Sequence, residues 1–217
     1  LAGRVPLIGF AGSPFTLACY MIEGSGSTDF ARVRTMAAAR PDLLQRIVDV
    51  NAQAVAAYLR GQIDAGADVV MLFDTWGGLM PAAAWRRYSL ATMPAVLSAL
   101  PAGVPAIVFT KGGGAWLADL AGIGAAGVGL DWTVDLARAR ASVGARVALQ
   151  GNLDPLVLTT DAATVDREAR AVVRAAGPAP GFIFNLGHGI VPHTPAENVG
   201  VLVDAVHDES RTIFCAR

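Results

Sequence analysis

Asp68-Val69-Val70-Met71-Leu72-Phe73, followed directly by Asp74-Thr75-Trp76, decides the fold. The run from Val69 to Phe73 has no polar alternation, so a strand built from it buries side chains on both faces, as parallel sheets covered by helices do. Five more short apolar runs read the same way: Val5 to Phe10, Pro105 to Thr110, Gly127 to Asp131, Arg146 to Gln150 and Gly181 to Asn185. Helical stretches separate them. The clearest spans Asp42 to Asp64, where Leu44, Ile47, Val48, Val55, Leu59 and Ile63 recur at helix spacing. The last is announced by Thr194-Pro195-Ala196-Glu197, a capping-box pattern with proline at the first helical position, ahead of an apolar stripe of Val199, Leu202, Val203 and Val206. Strand followed by helix, six times over, specifies an α/β protein with parallel strands. A barrel is favoured over an open sheet because nearly every strand ends in polar or small residues suited to an active-site rim. A complete (β/α)8 TIM barrel takes about 250 residues, so six units in 217 residues lead to the expectation that two strands are absent.

Composition narrows the function classes. With 53% hydrophobic and 16% charged residues, the chain can bury a substantial core as a single domain, residues 1–217. Seventeen basic and eighteen acidic residues leave a net charge of -1. No basic block is present to neutralise a phosphate backbone, so no nucleic-acid partner is expected. Cys19 and Cys215 lie far apart without CxxC spacing, which argues against a disulfide framework or a zinc cluster and fits a reducing, cytoplasmic setting. Val5 to Ile22 carries no formal charge over eighteen residues. Pro6, Gly9, Gly12, Ser13 and Pro14 would break a spanning helix there, so no membrane partner is expected. The chain opens Leu1-Ala2-Gly3-Arg4, without methionine and almost directly into a strand, and further residues upstream are expected.

Barrel enzymes work at the C-terminal ends of their strands, which makes the residues after each run the candidates. His188 lies between Gly187 and Gly189, whose backbone freedom can hold an imidazole at a strand end; the competing reading is a histidine bonded to loop backbone. His193 and His207 read as solvated. Tyr20, in the apolar stretch from Leu17 to Ile22, either presents its phenol to a pocket or sits in the core with a backbone partner. Asp74 is either catalytic or a cap for the following loop, and Thr75 follows it at the rim. Lys111, the one lysine in the chain, stands where a Schiff-base enzyme would place its amine, but no partner base can be assigned to it. Gly122 to Gly127 matches GxGxxG yet precedes a strand, so it reads as a glycine-rich turn. Trp85 and Trp116 read as packing residues, while Trp76 and Trp132 fall at the rim.

Taken together, the segments Gly9 to Gly24, Phe73-Asp74-Thr75-Trp76-Gly77-Gly78, Gly129-Leu130-Asp131-Trp132-Thr133, Gln150-Gly151-Asn152-Leu153-Asp154-Pro155 and Asn185-Leu186-Gly187-His188-Gly189 closely resemble the uroporphyrinogen decarboxylase family, in the family's order and across the whole chain. The resemblance implies a (β/α)8 barrel, here strands three to eight. It also implies a homodimer with facing clefts, and conversion of uroporphyrinogen to coproporphyrinogen in haem biosynthesis without cofactor or metal. It maps Tyr20 to the tyrosine that reaches substrate, Thr75 to a hydroxyl contacting a substrate carboxylate, and His188 to the histidine of the glycine-flanked loop. Phe10 and Phe73 map to the pocket lining. An arginine-rich segment and an aspartate for the pyrrole N–H groups, which the family carries early, have no match in these residues. Two rivals are a corrinoid-dependent methyltransferase of the same superfamily and an inactive binding remnant. The methyltransferase would need zinc held by histidine and cysteine, and no cysteine lies near His188 in the sequence.

Overall fold

Ser13-Pro14 shows how local chemistry sets the first βα unit. In the computed structural model, which describes residues 3–215, strand β1 (Ile8–Gly12) ends at Ser13. The Ser13 Oγ accepts from Thr16 N–H at 3.1 Å, and Pro14 takes the first helical position, where a missing N–H costs nothing. Helix α1 (Pro14–Glu23) stops at Gly24, a left-handed residue with φ 83° whose N–H returns to Tyr20 O. Phe15, Ala18 and Cys19 form the buried side of α1. Helices α2 (Ala31–Ala39) and α3 (Pro41–Asp64) follow, and α3 starts within one residue of the predicted position. Its Leu44, Val48, Val55 and Leu59 are buried, each stabilising the fold by about 1.5–3 kcal/mol.

The chain divides into two compact units after Val128. In the first, β1, β2 (Val69–Asp74) and β3 (Ala106–Thr110) are parallel, with Phe10 opposite Met71, Phe73 opposite Phe109, and Asp74 opposite Thr110. Helices α4 (Ala82–Tyr88) and α5 (Met93–Ser98) lie between β2 and β3, and α6 (Leu117–Leu120) follows β3. Strand β4 (Gly127–Gly129) comes next, and Ala126 N–H donates to Ala106 O at 2.9 Å. The pleat sorts this sheet into two faces. One carries Ile8, Val69, Met71, Phe73, Ile107 and Phe109 as a cluster, while the other turns Leu72, Val108 and Asp74 inward beneath the helices.

In the second unit, Leu130 N–H donates to Gln150 O at 2.8 Å, and β5 (Ala148–Leu153) pairs in parallel with β6 (Phe182–Leu186). Helices α7 (Leu136–Val143), α8 (Ala162–Ala176) and α9 (Ala196–Cys215) complete it. Leu153, Leu158, Val165, Ala169, Leu202 and Ala205 form its core, with Phe184 and Leu186 packed against them. Arg174 holds Glu209 through two bonds, at 2.8 and 3.0 Å, fastening α8 to α9.

Parallel strands that neighbour one another in chain order, joined by helices, are the repeat of a (β/α)8 barrel, and there are six such strands among the described residues. Two local expectations are corrected. The run predicted as a strand from Arg146 to Gln150 lies further along, because Gln150-Gly151-Asn152 belongs to β5 instead of forming its rim. Thr194 does not cap α9: the Pro195 carbonyl accepts from Asn198 N–H, and Thr194 Oγ1 is buried without a partner among the described residues. Among the described residues, no helix is long and apolar enough to cross a membrane.

Candidate active site

Aromatic residues form the floor of the site in the first unit. Phe10 meets Phe73 edge-on at 5.7 Å, and Phe73 meets Phe109 edge-on at the same separation. Phe10 remains 62% exposed, so this floor offers apolar area to a ligand. Thr75 follows β2 directly, two residues beyond Phe73. Tyr20, in the penultimate turn of α1, is 42% exposed and packs edge-on against Trp76 at 6.1 Å and against Phe30 at 6.0 Å. It is therefore a rim tyrosine, not a core one. Trp76 is fixed from two sides: its N–H donates to Thr16 Oγ1 at 3.4 Å, and its ring lies against Phe30 with centroids 4.6 Å apart. The Lys111 Nζ stands 5.9 Å from the Trp76 ring centroid.

Asp74 is neither of the things its sequence position suggested. Parity along β2 turns it to the face opposite Phe73, where it is fully buried beneath the helices. Four donors converge on its carboxylate: Ser13 Oγ at 2.7 Å, Ser89 Oγ at 2.5 Å, Thr110 Oγ1 at 3.1 Å and Trp85 Nε1 at 3.3 Å. Burial pushes its carboxyl above the ordinary range, against the opposing pull of those four bonds. Since Ser13 also caps α1, Asp74 joins the helix that carries Tyr20 to the end of β2, which Thr75 follows.

His188 belongs to the second unit, exposed on the loop after β6. Its ring meets Trp132 edge-on at 6.4 Å. The loop beneath is held by Asn152, whose Nδ2 donates to Asp131 O at 2.9 Å and to Val134 O at 2.7 Å. The Asp131 carboxylate in turn accepts from Thr133 N–H and Oγ. Gly187 permits this approach, because a Cβ there would lie 2.4 Å from Trp132 N. Gly187→Ala is accordingly expected to lower stability by about 1–3 kcal/mol through forced displacement of one loop. Urea denaturation measures this, and an unchanged midpoint would show that the contact yields freely.

Tyr20, Thr75, Phe10 and Phe73 thus gather in the first unit, and His188 stands with Trp132 in the second. His193 and His207 are exposed, as read from sequence. Trp85 and Trp116 stack with centroids 4.3 Å apart, a packing pair. Sequence reasoning missed Phe30, which packs against both Tyr20 and Trp76; a lone aromatic after the polar run Ser25 to Asp29 was the available signal. Asn152, read with Gln150 and Gly151 as a rim residue, instead lies in β5 and holds the Asp131 to Val134 turn, a role that depends on a partner 21 residues away in the chain. Among the described residues, no group of three or more histidine, cysteine, aspartate or glutamate side chains could hold a metal ion.

Comparison with known proteins follows the same lines. The family model described as uroporphyrinogen decarboxylase (URO-D) matches residues 1–209. A uroporphyrinogen decarboxylase from Azoarcus sp. is 58% identical over all of this chain and 62% of its own length. One from Burkholderia thailandensis is 60% identical over 97% of this chain and 59% of its own. The chain thus spans about three-fifths of the length of the curated relatives it matches. Among solved structures, a methyltransferase from Methanosarcina mazei superposes with a TM-score of 0.81 at 23% identity, over 94% of this chain and 59% of its own, a likeness of fold. Matched along nearly its whole length by the family model, the chain belongs to the uroporphyrinogen decarboxylase family.

Proposed function

We propose that this chain serves, as one barrel domain, in the decarboxylation of the acetate side chains of uroporphyrinogen to give coproporphyrinogen. The observation that carries the reading is identity of 58% and 60% to curated uroporphyrinogen decarboxylases, sustained along the chain. The geometry supports it: the apolar floor of Phe10, Phe73 and Phe109 suits a macrocycle, and the same unit offers the half-exposed Tyr20 and, directly after β2, Thr75 as hydroxyls for its acid side chains. In the same reading the protein acts as a cytoplasmic homodimer, without nucleic acid or membrane.

Loss of carbon dioxide from a pyrrole acetate leaves an electron pair that needs a sink. Protonation of the pyrrole at an α-carbon makes the ring cationic, and that ring accepts the pair as the carbon–carbon bond breaks, giving an exocyclic methylene. A second proton, delivered to the methylene carbon, yields the methyl group and restores the charge balance after loss of the α-proton. The substrate is its own sink, so no added cofactor is required. In this scheme Tyr20 and His188 position the reacting pyrrole or move protons, Thr75 binds a carboxylate, and Phe10 and Phe73 line the pocket.

The test is anaerobic incubation of the full gene product with uroporphyrinogen and EDTA, followed by mass spectrometry. Stepwise loss of carbon dioxide to the coproporphyrinogen mass is expected with no additive. Activity abolished by EDTA and restored by zinc, or methyl transfer in place of carbon dioxide release, would overturn the reading.

A further inference from the structure

We propose that Lys111 and Thr75 together form a carboxylate subsite at the ends of β3 and β2, where an ammonium and a hydroxyl hold one acid side chain of the substrate. This rests on the functional reading above and extends it to a residue that reading does not use. Asp74 opposite Thr110 is the last regular pair of the two strands, and Lys111 N–H still donates to Asp74 O at 3.3 Å. That bond belongs to the Asp74–Thr110 pair, after which Thr75 and Lys111 are the next residues of two adjacent strand ends, where neighbouring strands run about 4.8 Å apart. Parity does the rest. Phe73 and Phe109 share the apolar face, so the residues two further on return to that face one layer higher, about 6.6 Å above the aromatic floor. A tetrapyrrole ring resting on Phe10, Phe73 and Phe109 would thus raise an acid side chain to the level of Thr75 and Lys111.

Three constraints fix this lysine at the rim. Its Nζ stands 5.9 Å from the centroid of Trp76, which itself packs against Tyr20. Its carbonyl lies where a Cβ on Gly78 would come within 2.0 Å, so the Gly77-Gly78 turn closes tightly over the backbone. The next residue, Gly112, has φ 73°, which turns the chain away immediately after the lysine. A lysine offers three donors on a compact charge, and threonine adds one hydroxyl; a carboxylate has acceptor capacity for both. Charge, not covalency, is the role assigned: the ammonium binds and no imine forms.

The experiment measures KM and kcat for uroporphyrinogen in the full gene product carrying Lys111→Gln, Lys111→Arg, Thr75→Val, or Lys111→Gln with Thr75→Val. Lys111→Gln is expected to raise KM by about 10- to 100-fold, as loss of a charged hydrogen bond does, with kcat changed less than about threefold. Arginine keeps the charge but cannot form an imine, so Lys111→Arg should bring KM back to within about fivefold of wild type. The double variant should raise KM by less than the product of its two single effects, because both groups hold the same carboxylate. Added salt should raise KM in the wild type and less steeply in Lys111→Gln. Should Lys111→Gln fail to fold, the arginine variant and the wild-type salt dependence still decide the matter. A wild-type KM in Lys111→Gln, an arginine variant as impaired as glutamine, or a borohydride-trapped adduct at Lys111 would overturn the subsite while leaving decarboxylation standing. A wild-type protein that neither binds nor turns over uroporphyrinogen would sink the functional reading, and the subsite with it.

Discussion

In the full gene product, His188→Asn is expected to slow the proposed decarboxylation by about 10- to 1,000-fold while changing stability by no more than about 1 kcal/mol. The asymmetry follows from where the ring sits. His188 is exposed on a loop whose shape is set by other groups, namely Gly187 against Trp132 and Asn152 beneath the Asp131 to Val134 turn. Asparagine preserves polarity at the site and opens no core cavity, but it cannot take up and return a proton near neutral pH. Tyr20→Phe should act similarly, since the ring and its contacts with Trp76 and Phe30 survive and only the hydroxyl is lost. Single-turnover rates and thermal melts on the same preparations separate the two quantities. Wild-type rates accompanied by melting several degrees lower would make both residues structural.

Asp74→Ala is expected to have the largest effect on folding, a loss of about 3–6 kcal/mol. Truncation removes the acceptor from Ser13, Ser89, Thr110 and Trp85 at once. A buried donor left without a partner costs about 1–3 kcal/mol, less where a hydroxyl can rotate to another acceptor. Asp74→Asn keeps one carbonyl oxygen and should lose roughly half as much. The two proteins should also differ in their response to pH. Burial raises the Asp74 carboxyl above its ordinary 3.8, so between that value and the raised one the folded state holds a proton that the unfolded chain has released. Stability contributed by this group is therefore complete below the unfolded value and falls as pH rises through the window. Asparagine does not titrate, so the advantage of wild type over Asp74→Asn should shrink with rising pH. Urea denaturation from about pH 4 to 7 tests this; an advantage that grows with pH would mean the four donors outweigh desolvation.

These two residues also show what the sequence could and could not convey. The run from Val69 to Phe73 was enough to establish a buried parallel strand, and the helix from Pro41 to Asp64 could be placed to within a residue, because an unbroken apolar run and a helical repeat are both local signals. Ser13, Pro14 and Gly24 likewise mark the ends of α1 through caps that need no distant partner. Which face Asp74 takes depends on where the strand ends and on register with β3, and both are long-range facts. The sequence shows a polar residue after an apolar run; only the pleat tells that Asp74 turns to the face opposite Phe73. Thr194 illustrates the opposite failure, a local motif present in the sequence whose hydroxyl makes no cap in the folded chain. A lone aromatic after a polar run was the one local signal for Phe30, whose left-handed φ of 47° and seat against Tyr20 and Trp76 arise from packing between α1 and the β2 rim.

The buried side of α1 bears on how the protein meets oxidants and electrophiles. Cys19 lies one residue before Tyr20, but its thiol faces the core, and desolvation, with the negative charges of Asp74 and Glu23, pushes it far above the ordinary thiol range. Alkylating agents and peroxide react with the thiolate, the form that burial disfavours at this position. Sulfur placed one residue before Tyr20 is thus shielded from that chemistry by the same packing that holds the helix in place.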